Sequence, residues 1–352
     1  AMENVCGVVV TDPIRELRKL IYYGEWIESH VLHALMLHAP DFLGYDDAIQ
    51  MAKDHPDLVN QALRLKKIGN DIMVLLGGRE IHPINLKVGG FYKVPSRQAM
   101  EKLLPDLEWG LKTSTQLAKV VSTFDFPSFT FDYEFIALKH PDEYAIIEGN
   151  LFSNKGFDVP ISAYDSHLEE FQVKHSTALH TRVRGREFAH VGPLARFATN
   201  HDFLADEAKE AAKSCGLSEV CKNPFQSILV RLIEVIHAFS KSIGIVTHYR
   251  EPDHASVPVH PKPGTGHGCT EAPRGICYHQ YTIDEKGIIT HAKIVSPTAV
   301  NQATIEKDLY HYIASNTHKS DQELQRCAEQ AIRNYDPCIS CSAHFLKLEI
   351  DR

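Results

Sequence analysis

Cys338 and Cys341 form a C-x-x-C pair inside Asp336-Pro337-Cys338-Ile339-Ser340-Cys341-Ser342-Ala343-His344. Pro337 ends a preceding helix and fixes the backbone. Two thiolates three residues apart can converge on one ion, and His344 adds an imidazole three residues further on. Soft sulfur donors suit nickel, zinc, copper or iron–sulfur centres. Read alone, the pair is as readily half of a zinc site or two ordinary buried thiols as it is part of such a centre. A structural zinc site takes four ligands, and the sequence holds no second C-x-x-C.

Glu271-Ala272-Pro273-Arg274-Gly275 sets an arginine between a proline and a glycine, so backbone conformation rather than helix packing aims it. A guanidinium is permanently charged and carries five donors, which suits anionic or strongly hydrogen-bonding groups; alone, it reads as a surface arginine in a turn. Ser296-Pro297-Thr298 offers a hydroxyl where a predicted hairpin ends, or simply a strand-ending turn. Gly77-Gly78-Arg79-Glu80-Ile81-His82-Pro83 is a glycine-flanked histidine loop, either a tight connection or a positioned proton carrier. His30 and His33, near Glu25 and Glu28, read as packed or solvated histidines before they read as metal ligands. Gly264, Gly266 and Gly268 follow no predicted strand and open no periodic helix, so they are not a phosphate cradle.

These residues need elements to hold them. Asp12-Pro13 predicts a helix start, and Ile14, Leu17, Ile21, Ile27, Val31 and Leu35 recur at helical spacing until Pro40 stops the run. Further helices are predicted from about 58 to 76, closed by Gly77-Gly78, and from about 96 past 120, bent near Pro105. Phe129, Phe131, Tyr133, Phe135 and Ala137 alternate with polar residues as a strand does. Asn223-Pro224 caps a long apolar helix; 251–268 is an extended proline- and glycine-rich loop; 281–294 is a hairpin turning at 284–287. Ser320 and Glu323 form a capping box for a helix that ends before Asp336-Pro337. With 37 Lys+Arg against 45 Asp+Glu, the net charge of -8 speaks against a nucleic-acid protein, which needs a clustered basic face. No apolar run approaches the ~18–20 residues of a membrane span, and no signal pattern opens the chain, so a cytoplasmic location is expected.

Taken together the segments resemble the large, catalytic subunit of [NiFe] hydrogenases, most closely the soluble, multi-subunit, NAD(P)-linked type. The resemblance rests on P-I-R-E-L-R at 13–18, G-R-x-I-H-P at the histidine loop, V-G-P-L-A-R at 191–196, E-A-P-R-G at 271–275, S-P-T at 296–298 and D-P-C-I-S-C-S-A-H at 336–344. It implies a mostly helical α+β fold, a bundle of long helices with small antiparallel sheets, spanning 1–352 as a single domain. It implies reversible oxidation of hydrogen at a nickel–iron centre carrying cyanide and carbon monoxide. Cys338 would be a terminal nickel ligand and Cys341 a bridge to iron. Arg274 would stand over the open coordination position, Pro273, Pro297 and Thr298 would line the diatomic-ligand pocket, and His344 with the Ile294 carbonyl would bind magnesium. Electrons would leave through an iron–sulfur small subunit toward flavin-containing NAD(P) diaphorase subunits.

Two departures accompany the resemblance. The family's N-terminal C-x-x-C and its upstream proton-transfer glutamate do not occur in this sequence, which is expected to be an N-terminally truncated, inactive fragment. The tail Phe345–Arg352 is expected to be removed by a maturation endopeptidase. Two rivals are a non-hydrogenase relative, such as the quinone-site subunit of respiratory complex I, and a zinc-binding scaffold subunit using Cys338 and Cys341. The nickel-type cysteines argue against the first.

Overall fold

The computed structural model describes residues 1–337; Cys338, Cys341 and His344 lie outside the described residues. A short helix α1 (Met2–Cys6) leads into α2 (Asp12–Val31), with Thr11 rather than Asp12 at its N-cap and Pro13 in the first turn, where no N–H is needed. The expected stop at Pro40 does not occur. A π-helical stretch at Leu32–His38 and a short helix at Ala39–Leu43 carry the chain on. Ala39 N reaches back to Ala34 O, so a π turn replaces the bond pattern that the proline ring would break.

Helix α3 (Pro56–Gly77) ends as expected, on Gly78 at φ 86°. The third expected helix is two helices: Arg97–Glu101, capped by Ser96, and α4 (Leu104–Val121), with Pro105 in its first turn instead of at a bend. The alternating aromatic segment pairs as a strand only from β1 (Ile136–Lys139), which lies in an antiparallel sheet with β2 (Asn150–Ser153) and β3 (Phe157–Val159). Before it, Phe129 and Phe131 meet rings rather than a partner strand: Phe129 lies 5.6 Å from Tyr312, and Phe131 lies 5.5 Å from Phe188. Side-chain alternation therefore survives without a ladder.

A two-stranded pair follows, β4 (Leu168–Phe171) with β5 (His180–Val183), then α5 (Pro193–Asn200) and α6 (Ser227–His248). Asn223 accepts from Phe225 N ahead of α6, as its Asn-Pro start predicted. α2 packs on both α3 and α6, and α6 packs on α4. Leu17, Leu20 and Ile27 of α2, Leu65 and Ile72 of α3, and Ile228 to Phe239 of α6 form the main core. Each such side chain, fully buried, contributes roughly 1.5–3 kcal/mol.

Strands β6 (Gly264–Ala272), β7 (Gly275–Ile283) and β8 (Ile289–Val295) form an antiparallel sheet with β7 central. The loop predicted to reach Gly268 thus becomes a strand at Gly264. Its glycines give α1 room: a Cβ on Gly266 would stand 2.4 Å from Ala1 O. Asp284 Oδ1 accepts from Lys286 N and Ile288 N and closes the expected turn. Ser296-Pro297-Thr298 is no terminal turn. Ser296 caps α7 (Pro297–Ala314), a helix that the sequence reading did not foresee. Helix α8 (Asp321–Arg333) carries the expected capping box. No helix among the described residues is long and apolar enough to cross a membrane.

Candidate active site

Ala272 pairs with Gly275, so Pro273 and Arg274 are the two residues at the tip of the β6–β7 hairpin. The tip rests on the loop before α5. Gly275 has φ 130° and Gly192 has φ 103°. A Cβ on Gly192 would lie 2.7 Å from Arg274 O, and one on Gly275 2.7 Å from Val191 Cγ2. V-G-P-L-A-R and E-A-P-R-G, about eighty residues apart in sequence, thus meet backbone to backbone.

Arg196, on α5, fixes this contact. Its side chain is fully buried, and all five of its N–H donors find acceptors. Nε and Nη2 bond the two oxygens of Glu234 at 2.8 and 2.7 Å. Nη1 bonds Glu271 Oε2 at 3.1 Å and Ala272 O at 2.8 Å. Nη2 also donates to Pro273 O at 2.9 Å. Trp26 lies 4.4 Å beneath the guanidinium and donates to Glu271 O at 3.0 Å. His30 and Tyr144 complete the shell around Glu234, each within 2.9 Å.

Burial works against the Glu234 carboxylate, but Arg196 prevails and holds it down to about 2. Burial works against the Arg196 charge too, and Glu234 more than offsets it. Glu271 goes the other way: burial pushes it up to about 7 against the opposing charge of Arg196, with the Glu234 charge adding to the rise. His30 is pushed down to about 4 by burial and so is neutral, a hydrogen-bonding partner rather than a cation.

Arg274 reaches from the tip to the segment leading into the C-x-x-C. Its Nη2 donates to Asp336 Oδ1 at 3.1 Å and its Nε to Asp336 O. Asp336 has φ 47°, a left-handed conformation that Asp tolerates better than most residues. The run before it is pinned throughout. Arg333 donates to Asp41 at 2.6 and 2.9 Å, His33 bonds Arg333 O at 2.8 Å, and Ser227 Oγ donates to Asn334 O at 2.7 Å. Tyr335 donates to Asp308. A second buried cation, Arg231 of α6, is electrostatically coupled to Asp336 and Arg274. Its Nη1 donates to Ser227 Oγ at 2.9 Å, while its Nε has no partner among the described residues. Burial pushes Arg231 down to about 10.

The structure brings Arg274 against Asp336, two residues before Cys338 in sequence, with Pro273 beside Arg274 at the hairpin tip. It places Ile294 on β8, paired with His279, and Pro297 and Thr298 in the first turn of α7, at the strand–helix junction beside β7. His30 and His33 are packed histidines, as the sequence reading favoured. His82 is exposed, and its loop is a tight connection in which Ile84 N and Asn85 N both bond Gly77 O. Burial pushes Glu25 of α2 up to about 7, with Glu28 adding to this and Arg274 opposing it.

Sequence reasoning gave no role to Arg196, Glu234 or Arg231. One signal was present. Arg231, Glu234 and His237 recur every three residues within the otherwise apolar run 228–239, a polar stripe on a helix buried all round.

The cationic side chains next to Asp336 fit a soft-metal centre. Arg231 and Arg274 set positive charge beside Asp336; positive charge near a cysteine favours thiolate over thiol, the form that binds nickel and iron. The orphaned, buried Nε of Arg231 is a donor still available to an anionic group.

Residues 186–344 match the nickel-dependent hydrogenase family. The chain is 32% identical, over 99% of its own length and 82% of the relative's, to sulfhydrogenase 1 subunit alpha of Pyrococcus furiosus. It is 25% identical to the NAD-reducing hydrogenase HoxS subunit beta of Cupriavidus necator, over 97% of this chain and 78% of that one. Among solved structures, an NAD+-reducing [NiFe]-hydrogenase in the H2-reduced state superposes with a TM-score of 0.89 at 21% identity, covering 98% of this chain and 83% of that one. The Ni-Fe-Se hydrogenase of D. vulgaris Hildenborough superposes at 0.74 with 20% identity, covering 98% and 85%.

Proposed function

This chain belongs to the nickel-dependent hydrogenases, the premise on which we propose specific roles for its residues in reversible hydrogen oxidation. Cys338 and Cys341 would hold nickel, and Cys341 would hold iron as well. Pro273, Pro297 and Thr298 line the pocket of the iron's diatomic ligands. His344 and the Ile294 carbonyl bind magnesium. A nickel–iron pair held there would supply a Lewis-acidic, redox-active centre able to polarise H2 and take up its two electrons, leaving two protons.

The chain's own part is to place charge and receive a proton. Cys338 Sγ is the basic atom at the centre, and Arg274 is a fixed cation beside it. The carrying observation is the grip on Arg274. Its loop is clamped from behind by Arg196 at two carbonyls, and its guanidinium is oriented in front by Asp336. An arginine held at both ends loses little entropy when it meets a reacting group, which is the condition for electrostatic catalysis. Electrons pass to an iron–sulfur small subunit, then to flavin-containing NAD(P) subunits; the subunit names of two relatives, one of a sulfhydrogenase and one of an NAD-reducing hydrogenase, support a multi-subunit assembly. A maturation endopeptidase trims the tail after metal loading.

Arg274→Lys in the assembled enzyme tests the reading. Lysine keeps the charge but not the planar fork that bonds both Asp336 O and Oδ1. Hydrogen-dependent reduction of methyl viologen is expected to fall by about two to three decades, with nickel content unchanged. Loss of nickel, or near-normal turnover, would overturn the role. Cys341→Ser is expected to abolish metal loading itself. Infrared bands of cyanide and carbon monoxide with nickel and iron support the hydrogenase reading; zinc alone would return the scaffold reading.

A further inference from the structure

Outside the hairpin-tip site, two histidines and a glutamate converge where the β4–β5 connection meets α7. His175 lies in the connection, His180 opens β5, and Glu306 stands on α7. The Nε2 atoms of both rings lie 2.9 Å from the same carboxylate oxygen, Glu306 Oε1. The three ligand atoms all lie within 4.8 Å of one another. His180 is buried, its ring 5.7 Å from Phe171, and the His175 ring stands edge-on to it at 5.9 Å. Burial works against ionisation of Glu306, yet the bonds from His175 and His180 prevail and hold its carboxyl below the ordinary range.

We propose that His175, His180 and Glu306 form a second metal site, for a divalent ion of the zinc type, independent of the nickel–iron centre. Two imidazoles and one carboxylate are a common donor set for zinc, with ligand distances near 2.0–2.2 Å and water in the fourth position. Tetrahedral bonds of that length separate ligand atoms by about 3.3 Å. The two 2.9 Å contacts therefore open by only a few tenths of an ångström to admit the ion. Glu306 is the member able to give: its side chain is flexible and 40% exposed, whereas His180 is fixed by burial. Borderline-soft ions bind imidazole well, and magnesium or calcium, which prefer all-oxygen sites, do not suit this set.

The ion would tie a surface connection to the helix whose first turn carries Pro297 and Thr298. Its role is structural, with no substrate at the site. It holds the far flank of α7 while the N-terminal end stands at the strand junction.

Chelator-stripped, assembled enzyme titrated with zinc, and separately with cobalt(II), provides the test. Bound equivalents are read by elemental analysis and cobalt coordination by its visible absorption, with nickel and iron counted in parallel. The parent is expected to bind one more zinc or cobalt equivalent than His175→Ala or Glu306→Gln, or to bind it at least tenfold more tightly, with nickel and iron unchanged. His175 is exposed, so its alanine variant is a fair test even if a change at buried His180 disturbs folding. Equal equivalents and equal affinity in parent and variants would overturn the proposal and leave two histidine–carboxylate hydrogen bonds only.

Discussion

Two arginines are buried in the same core, 35 positions apart, and do opposite things. Arg196 meets two carboxylates, two carbonyls and an indole face, and its charge is reinforced. Arg231 has one bond to a serine and a buried Nε without a partner among the described residues, and its charge is weakened. The first is a strut. Its charge is consumed in joining α5, α6 and the β6–β7 tip. The second is a source of field whose potential is left over for whatever follows Asp336. A saturated buried cation builds architecture, and an unsaturated one is poised for a ligand.

The largest expected effect follows from breaking the strut. Arg196→Met leaves Glu234 and Glu271 buried without their cation and is expected to cost about 3–5 kcal/mol. Arg231→Met removes a charge with few partners and is expected to cost about 1 kcal/mol or less. Urea midpoints of the two variants measure the gap, and equal losses would erase the distinction. In the intact enzyme the order reverses for metal retention, with Arg231→Met losing more nickel than its stability change explains.

A pH series sharpens the same contrast. Glu271 is raised to about 7 in the fold, from an ordinary 4.5. The native state therefore binds this proton more tightly than the unfolded chain. Its stabilising share is full below about 4.5 and is lost as pH rises to 7. Glu234, held near 2, behaves oppositely: its share is present above 4.5 and lost as pH falls through 2. The buried histidines His30, His190 and His237, depressed by burial to about 4, 3 and 3, also make the parent less stable in acid. The Glu271 effect thus appears as a difference. Glu271→Gln is expected to gain on the parent by ~2–3 kcal/mol between pH 4.5 and 7, read from denaturation midpoints across that range. A flat difference would mean that Arg196 neutralises both acids.

A smaller effect than that of the strut is expected at the indole. Trp26→Phe keeps most of the buried ring but loses the Nε1 bond to Glu271 O and weakens the face beneath Arg196. A loss of about 1–2 kcal/mol is expected in the same urea assay, with turnover falling less than for Arg274→Lys.

Local chemistry was legible in the sequence wherever one residue settles one backbone position. Gly78 ending α3, the Ser320–Glu323 box, Asn223 before α6 and the Asp284 turn all act within a few residues. Helix α7 was not legible, because Thr304, Asp308 and Asn301 are buried along it beside apolar residues and blur its periodicity. Pro40 misled because a π-helical stretch, unreadable from pattern, carries the helical path up to it. At the site, the Pro-Arg-Gly spelling announced a backbone-aimed arginine, and the tip confirms that placement. The clamp behind it was hidden because Arg196 draws its partners from positions 26, 234, 271, 272 and 273. Only folding brings these together.

The glycine pair at the hairpin tip sets a limit on what this enzyme can become. Gly192 and Gly275 face one another across a gap already occupied by backbone. A methyl group on Gly192 would press on the Arg274 carbonyl, and one on Gly275 would press on Val191 and the Gly192 backbone. A mutational scan would thus find two positions that accept glycine alone, although neither side chain touches a reacting atom. The width of that crossing is set by a hydrogen atom on each side.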